Sequence, residues 1–204
     1  EFKIREQKYK RMDLADLKKQ LFSEARTHRS FSSKEIEDSK LHEIYDLAKF
    51  GPTANNYCPM RVTFVKSPEE KQKLIEVASE GNQPKIKSAP VTLIIAYDLK
   101  YYQHIHLLAP HMDVSKVENQ SEKERDKFAR ELSWLQAGYI LIAARMLGID
   151  CGPMNGFNKT LTDEVFYSGT SWRSNILINL GYGDHKTLRP RAPRIDFEDA
   201  CQIL

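Results

Sequence analysis

The stretch EKERDKFARELSWLQAGYILIAARML, residues 122–147, decides what kind of fold this chain builds. Its first half carries a narrow apolar stripe, Phe128, Leu132 and Leu135, at the spacing of one helical face. From Leu135 onward it is apolar almost all round, broken only by Gln136 and Arg145. A helix that is apolar on every side passes through a core or a subunit interface. The apolar part stops well short of the ~20 residues that a membrane span needs. Gly148 supplies the helix stop.

Downstream, short strands are expected at about 149–154 and 174–180, then a Pro- and Arg-rich segment, 186–194, and a short final helix. Upstream, residues 98–118 show no clear period and read as a long irregular, lid-like excursion. The continuous apolar run from Val91 to Ala96 suits a buried central strand, and the residues from Gly81 to Pro90 read as the loop leading into it. Ser67-Pro68-Glu69-Glu70 opens a helix with a capping box and Pro at its first position. Residues 61–66 alternate in strand fashion.

Asp38 or Ser39 is the expected N-cap of a helix whose buried stripe is Leu41, Ile44, Tyr45 and Ala48, stopped by Phe50-Gly51-Pro52. A first helix from about Asp13 places Leu14, Leu17, Leu21 and Ala25 on one face. Helices and strands alternate without a βαβ repeat, so the expected class is α+β.

The 204 residues suit one domain, or one protomer of an intertwined dimer. Five basic against two acidic residues among the first eleven carry the whole net charge of +3. The other 26 basic and 26 acidic residues balance. A nucleic-acid binder should concentrate basic charge on its folded part, which argues against a basic-tailed nucleic-acid-binding or scaffold protein. Residues 1–11 read as an N-terminal extension or expression remnant, and 12–204 as one unit. No membrane segment or signal peptide is expected, and three cysteines without metal spacing point to a reduced, cytoplasmic protein.

Two arginine clusters sit at opposite ends of the chain, Arg26 with Arg29 and Arg189 with Arg191 and Arg194. Arginine suits a phosphate because its planar fork donates two parallel hydrogen bonds and stays charged. The Thr27 hydroxyl would complete such a site; two solvated surface turns are the plain alternative. Pro52-Thr53-Ala54-Asn55-Asn56-Tyr57-Cys58-Pro59 offers amides to a heteroaromatic edge, or is an Asx-rich turn. In Gly152-Pro153-Met154-Asn155-Gly156-Phe157, Gly156 would let backbone N–H groups approach a ligand, or simply make a turn.

Three further signals are set aside. Gly181-x-Gly183 lacks the third glycine of a dinucleotide fingerprint. His104, His106, His111 and Asp113 lack a metal-ligand pattern, so no metal is expected. Cys58 has no Cys-x-x-Cys partner.

Taken in order, these elements resemble the nitroreductase family. Arg26-Thr27-His28-Arg29-Ser30-Phe31 is similar to its Arg-Ser/Thr-x-Arg-x-Phe element, and Pro52 to Pro59 to its Pro-Ser/Thr-x-x-Asn-x-Gln-Pro loop. Pro153 to Phe157 resembles its Pro-x-x-Gly-Phe loop, and Arg189-x-Arg191 its C-terminal basic pair. The resemblance covers about residues 13–204.

It implies a mainly antiparallel sheet flanked by helices, in an intertwined homodimer that exchanges terminal segments and holds FMN at the interface. It implies NADH or NADPH as co-substrate, hydride passing through flavin N5, and no catalytic side chain. Arg26, Thr27, Arg29, Arg189 and Arg191 would hold the FMN phosphate, with His28 contributing mostly through its backbone. Pro52, Thr53 and Asn56 would line the ring and ribityl chain, and the N–H groups of Asn155 and Gly156 would face N5 and O4.

Within the family, Arg-Thr-His, Gly-Pro-Thr, Pro110-His111-x-Asp113 and Gly181-Tyr182-Gly183-Asp184 resemble the branch that reduces malonic semialdehyde. For that acceptor Arg61, Lys85 and His111 are the carboxylate candidates. Cys58, Met60 and Asn155 depart from the wider family's frequent Gln, Trp and Glu. A broad nitro- or quinone-reductase is the alternative.

Overall fold

The computed structural model describes residues 13–204; the extension expected over 1–11 lies outside them. In chain order the elements are α1 (Leu14–Lys18), running on as a π-helical turn, α2 (Asp38–Ala48), β1 (Met60–Val65), α3 (Pro68–Val77), α4 (Gln83–Ser88) and β2 (Val91–Asp98). Then follow α5 (Ile105–Leu108), α6 (Ser115–Glu118), α7 (Glu122–Met146), β3 (Asp150–Met154), α8 (Lys159–Tyr167), β4 (Trp172–Gly181) and α9 (Phe197–Ala200).

The sheet runs β1-β2-β4-β3, antiparallel throughout. β2 is buried along its whole length, as its unbroken apolar run requires. Its side chains alternate between two layers. Leu93 and Ile95 join Ile176 and Ile178 of β4 in a core with Ile44 and Ala48 of α2 and Ile140 and Ala144 of α7. Ile94, Ala96 and Leu177 face Leu74 of α3, Ile86 of α4 and Tyr167 beside the opposite layer.

Local chemistry sets the boundaries. Ser67 caps α3 by accepting from the Glu70 N–H at 3.2 Å, with Pro68 in the first turn. Ser121 and Glu124 form a capping box at the start of α7, and Gly148 (φ 72°) lets the chain turn away after it.

Several expectations are corrected. The α2 N-cap is Glu37, whose extended backbone starts the helix at Asp38, one residue early. Tyr45 is 44% exposed, because the α2 face that packs on the core is the Leu41–Ile44–Ala48 stripe. The segment read as a loop before Pro90 contains α4, and α8 fills the gap before β4; both are too short to show a strong period.

Residues 98–118 are not irregular. Short helical turns carry Tyr101, Ile105, Ala109 and Val117 into a third cluster with Tyr57, Tyr97 and Ala129. Among the described residues nothing fully buries the expected apolar face of α1: Leu14 is exposed, and Leu17, Leu21 and Ala25 are half-buried. α7 is not buried all round either: Trp134, Leu135, Tyr139 and Met146 are between 40% and 49% exposed. No helix among the described residues is long and apolar enough to cross a membrane.

Candidate functional site: an arginine cleft

The segment after α1 and the segment after β4 meet beside the start of β3. The segment after α1 enters the sheet by a parallel bridge between Thr27 and Cys151, with the His28 N–H donating to the Cys151 carbonyl at 3.0 Å. It continues past Gly183 through the Phe31–Gly183 bridge, so residues 25–32 are held against both β3 and the end of β4.

The chain after β4 then returns along it. The Arg26 guanidinium donates to the Arg189 carbonyl at 2.5 Å, and that of Arg191 to the Ala25 carbonyl at 2.6 Å. Between these arms lies a cleft of about 650 Å³ lined by Arg26, Thr27, Arg29, Arg189 and Arg191, with Arg145 and Arg194. Among the described residues no carboxylate lines it. Six guanidinium groups so placed can attract and hold an anion.

Arg145 has no sequence neighbour in either cluster. It comes from the last turn of α7, its Nη1 donating to the Leu21 carbonyl at 3.0 Å. Only the fold could reveal it.

Gly156 sits at the far end of β3 from this cleft. Its carbonyl accepts from the Ser79 N–H (3.0 Å), the Ser79 hydroxyl (2.8 Å) and the Asn82 amide (2.9 Å). A Cβ here would lie 2.6 Å from Ser79 Oγ and 2.7 Å from Asn82 Nδ2, so glycine is required by close approach. Asn82 and Ser79 escape motif reading because their role is to fix the loop that carries the motif.

Lys85 donates to Asn82 Oδ1 at 2.7 Å. Burial pushes its ammonium below the ordinary lysine value, and the Arg29 charge adds to this. Lys85 thus bridges the Asn82–Gly156 loop and the field of the arginine cleft. Asn155, next to Gly156, is exposed.

The second loop stands apart. Pro52 is exposed, Thr53 Oγ1 accepts from the Cys58 N–H at 3.1 Å, and the Asn56 amide donates to the Leu108 carbonyl at 2.8 Å. Asn55, Asn56 and Cys58 all have positive φ (52°, 57° and 44°), a cluster of costly backbone that tends to mark functional loops. Gly51 packs so tightly on α7 that a Cβ would lie 2.7 Å from the Tyr139 ring. None of Pro52, Thr53, Asn56, Asn155 and Gly156 lines the arginine cleft of its own chain.

The remaining candidates divide. Arg61 is turned inward, its guanidinium 2.9 Å from the buried Asp98 carboxylate and donating to the Cys58 and Met60 carbonyls. His111 is exposed and lines neither the arginine cleft nor the apolar groove described next.

The His28 side chain is buried and faces away from the arginine cleft, with Nε2 3.4 Å from Asp150. Burial pushes the Asp150 carboxyl up, but the His28 ring and the Gly183 N–H outweigh it and hold it below the ordinary value. A groove of about 810 Å³ runs beside β1, its apolar lining of Leu41, Tyr45, Met60, Phe64 and Leu107 interrupted by Arg61, Lys66 and His104.

An antiparallel sheet between two helical layers, with an arginine-lined cleft at the start of the edge strand β3, makes an α+β fold. The model of the nitroreductase family matches residues 23–182. A protein of Stutzerimonas stutzeri named as a candidate NADH dehydrogenase/NAD(P)H nitroreductase is 48% identical over 183 residues, 90% of this chain and 93% of that protein.

The crystal structure of a protein named as a candidate nitroreductase from Bacillus subtilis superposes with a TM-score of 0.84 at 21% identity, covering 94% of this chain and 100% of that one. One from Exiguobacterium sibiricum, in complex with FMN, superposes with 0.79 at 18% identity, covering 95% and 98%. The chain belongs to the nitroreductase family of oxidoreductases.

Proposed function

We propose that this chain is an FMN-dependent NAD(P)H oxidoreductase that works as a homodimer and reduces a small acceptor. The observation that carries the reading is the cleft where Arg26, Arg29, Arg145, Arg189, Arg191 and Arg194 converge, with no carboxylate among the described residues lining it. A terminal phosphate monoester matches that donor set in charge and geometry. The FMN held by the structural relative from Exiguobacterium sibiricum supports the same choice.

Arg26, Arg29, Arg189 and Arg191 bind the phosphate, Thr27 donates its hydroxyl, and His28 shapes the loop through its backbone. The Asn155–Gly156 loop, pinned by Ser79 and Asn82, offers backbone N–H groups to the ring edge. FMN held by these residues would supply the redox chemistry that couples oxidation of NADH or NADPH to reduction of the acceptor. The relatives' names support the nicotinamide donor.

The dimer follows from what one chain leaves uncovered. Leu135, Tyr139, Ile142 and Met146 recur every four, three and four residues along α7 and are exposed or half-buried. That spacing is a seam for a second helix. The strained loop at 52–58 adjoins it through Gly51 and Tyr139, so a second copy packed there would present Pro52, Thr53 and Asn56 to its partner's cofactor. The exposed C-terminal apolar residues Ile195, Phe197, Ile203 and Leu204 fit exchange of terminal segments, and the groove beside β1 would receive them.

For the acceptor, malonic semialdehyde is the specific proposal. Lys85, placed beside Asn82 and Arg29, is its carboxylate partner, because Arg61 is committed to Asp98. A broad nitro- or quinone-reductase is the competing reading, favoured by the names of the relatives.

Titration of the cofactor-stripped protein with FMN and riboflavin tests the phosphate site. FMN binding at least roughly tenfold tighter than riboflavin is expected for charge-assisted bonds to the phosphate. Equal affinities would place the phosphate outside the arginine cleft.

A further inference from the structure

Behind the arginine cleft, three chain segments bring His28, Asp150 and His185 together, with donor atoms all within 4.8 Å of one another. The sequence hides this cluster, because its members are more than thirty residues apart and no two share a motif. We propose that His28, Asp150 and His185 form a binding site for one divalent transition-metal ion, which clamps together the two arms that carry the arginines.

The geometry favours a cation over a plain ion pair. His28 Nε2 and Asp150 Oδ1 are 3.4 Å apart, long for a hydrogen bond. Two ligands of a tetrahedral Zn²⁺, each about 2.0–2.1 Å from the metal, stand about 3.4 Å apart. His28 is fixed in place. It is 1% exposed, and Nδ1, which has no hydrogen-bond partner, lies against Gly183, where an added Cβ would sit 1.9 Å from it. Nε2 is therefore the nitrogen presented to Asp150.

The carboxylate is oriented in turn, its other oxygen accepting from the Gly183 N–H at 2.8 Å, as the carboxylates of metal sites commonly are. His185 stands edge-on to His28 with ring centroids 5.1 Å apart. It is exposed, so it supplies the adjustment that closes the coordination shell and leaves a position for water.

Two imidazoles and one carboxylate with an open position suit Zn²⁺ or another first-row divalent ion, not Ca²⁺ or Mg²⁺. Arg26 and Arg145 line a small cleft that also includes Asp150, and their charges oppose a cation. The ion is therefore held by ligand geometry, against the surrounding field. His28 lies between Arg26 and Arg29, and His185 opens the turn before Arg189. A bound ion thus ties both arms to the start of β3.

Calorimetric titration of the chelator-treated full chain with Zn²⁺ tests the site, with Co²⁺ as a spectroscopic probe. One ion per chain is expected, with a Co²⁺ spectrum of nitrogen and oxygen ligands and no thiolate charge-transfer band. Zn²⁺ should raise the thermal midpoint. His185→Ala, an exposed change, and Asp150→Asn should each weaken binding by roughly tenfold or more, with an unchanged far-ultraviolet dichroism spectrum for His185→Ala showing that this variant is folded. His106→Ala should bind as the parent does. Absence of binding, a thiolate band from Cys58 or Cys201, or full affinity in folded His185→Ala would each overturn the proposal.

Discussion

The guanidinium of Arg26 donates to the main-chain carbonyl of Arg189, 163 residues further along the chain. With the reciprocal bond from Arg191 to Ala25, this contact builds the cleft out of two termini that no local rule connects. The arginines do two jobs here: hydrogen bonds from Arg26 and Arg191 hold the arms together, and the same side chains line the cleft.

Replacing Arg26 or Arg191 by Ala should therefore weaken FMN binding by roughly 1.5–3 kcal/mol, the scale of a lost charge-assisted hydrogen bond. Fluorescence titration of dilute protein measures this. Unchanged flavin retention in both variants would remove the phosphate from this cleft.

Gly156→Ala should act on the loop at the other end of β3. Its new methyl group meets Ser79 and Asn82 at under 3 Å, so the three bonds to the Gly156 carbonyl cannot all survive. A loss of about 1–3 kcal/mol in urea unfolding is expected from overpacking, with weaker flavin binding alongside. A variant as stable as the parent would show that the loop has slack.

Leu135→Glu places a charge on the seam of α7, where the isolated chain leaves Leu135 47% exposed. Sedimentation should show the parent as a dimer at micromolar concentration and the variant dissociating with loss of flavin. A parent that is monomeric and fully loaded with FMN would contradict the shared site.

Arg61→Met should be a stability variant. It leaves Asp98, 6% exposed, without its ion-pair partner, although the Ser171 hydroxyl and the Lys100 N–H still donate to it. Breaking a buried pair costs on the order of 3 kcal/mol. Normal stability with a raised KM for carboxylated acceptors alone would return Arg61 to the substrate site. For the acceptor itself, kcat/KM for malonic semialdehyde should exceed that for nitrofurazone, and Lys85→Ala should lower the former. Nitrofurazone better by roughly tenfold or more would favour the broad reductase.

The class of fold was legible where a signal was long or unbroken. The unbroken apolar run at 91–96 suited a buried strand, and residues 122–147 read as a long helix. α4 and α8 span six and nine residues, too few turns for periodicity to stand out against a loop. Residues 98–118 defeated pattern reading because successive short turns bury one residue each.

At the site, Arg26, Thr27, Arg29, Arg189 and Arg191 were legible because charge repeats locally. Arg145, Asn82, His28 with Asp150, and the inward turn of Arg61 were not. Each depends on a contact across the sheet, and for Arg61 on an acidic partner 37 residues away.

The most direct test of the central claim is the visible spectrum of the purified protein reconstituted with FMN, recorded anaerobically before and after addition of NADH or NADPH. One FMN per chain, bleached by a nicotinamide and restored by an acceptor, is the expected result. A protein that takes up no FMN, or that binds it and leaves it oxidised with both nicotinamides, would contradict the account.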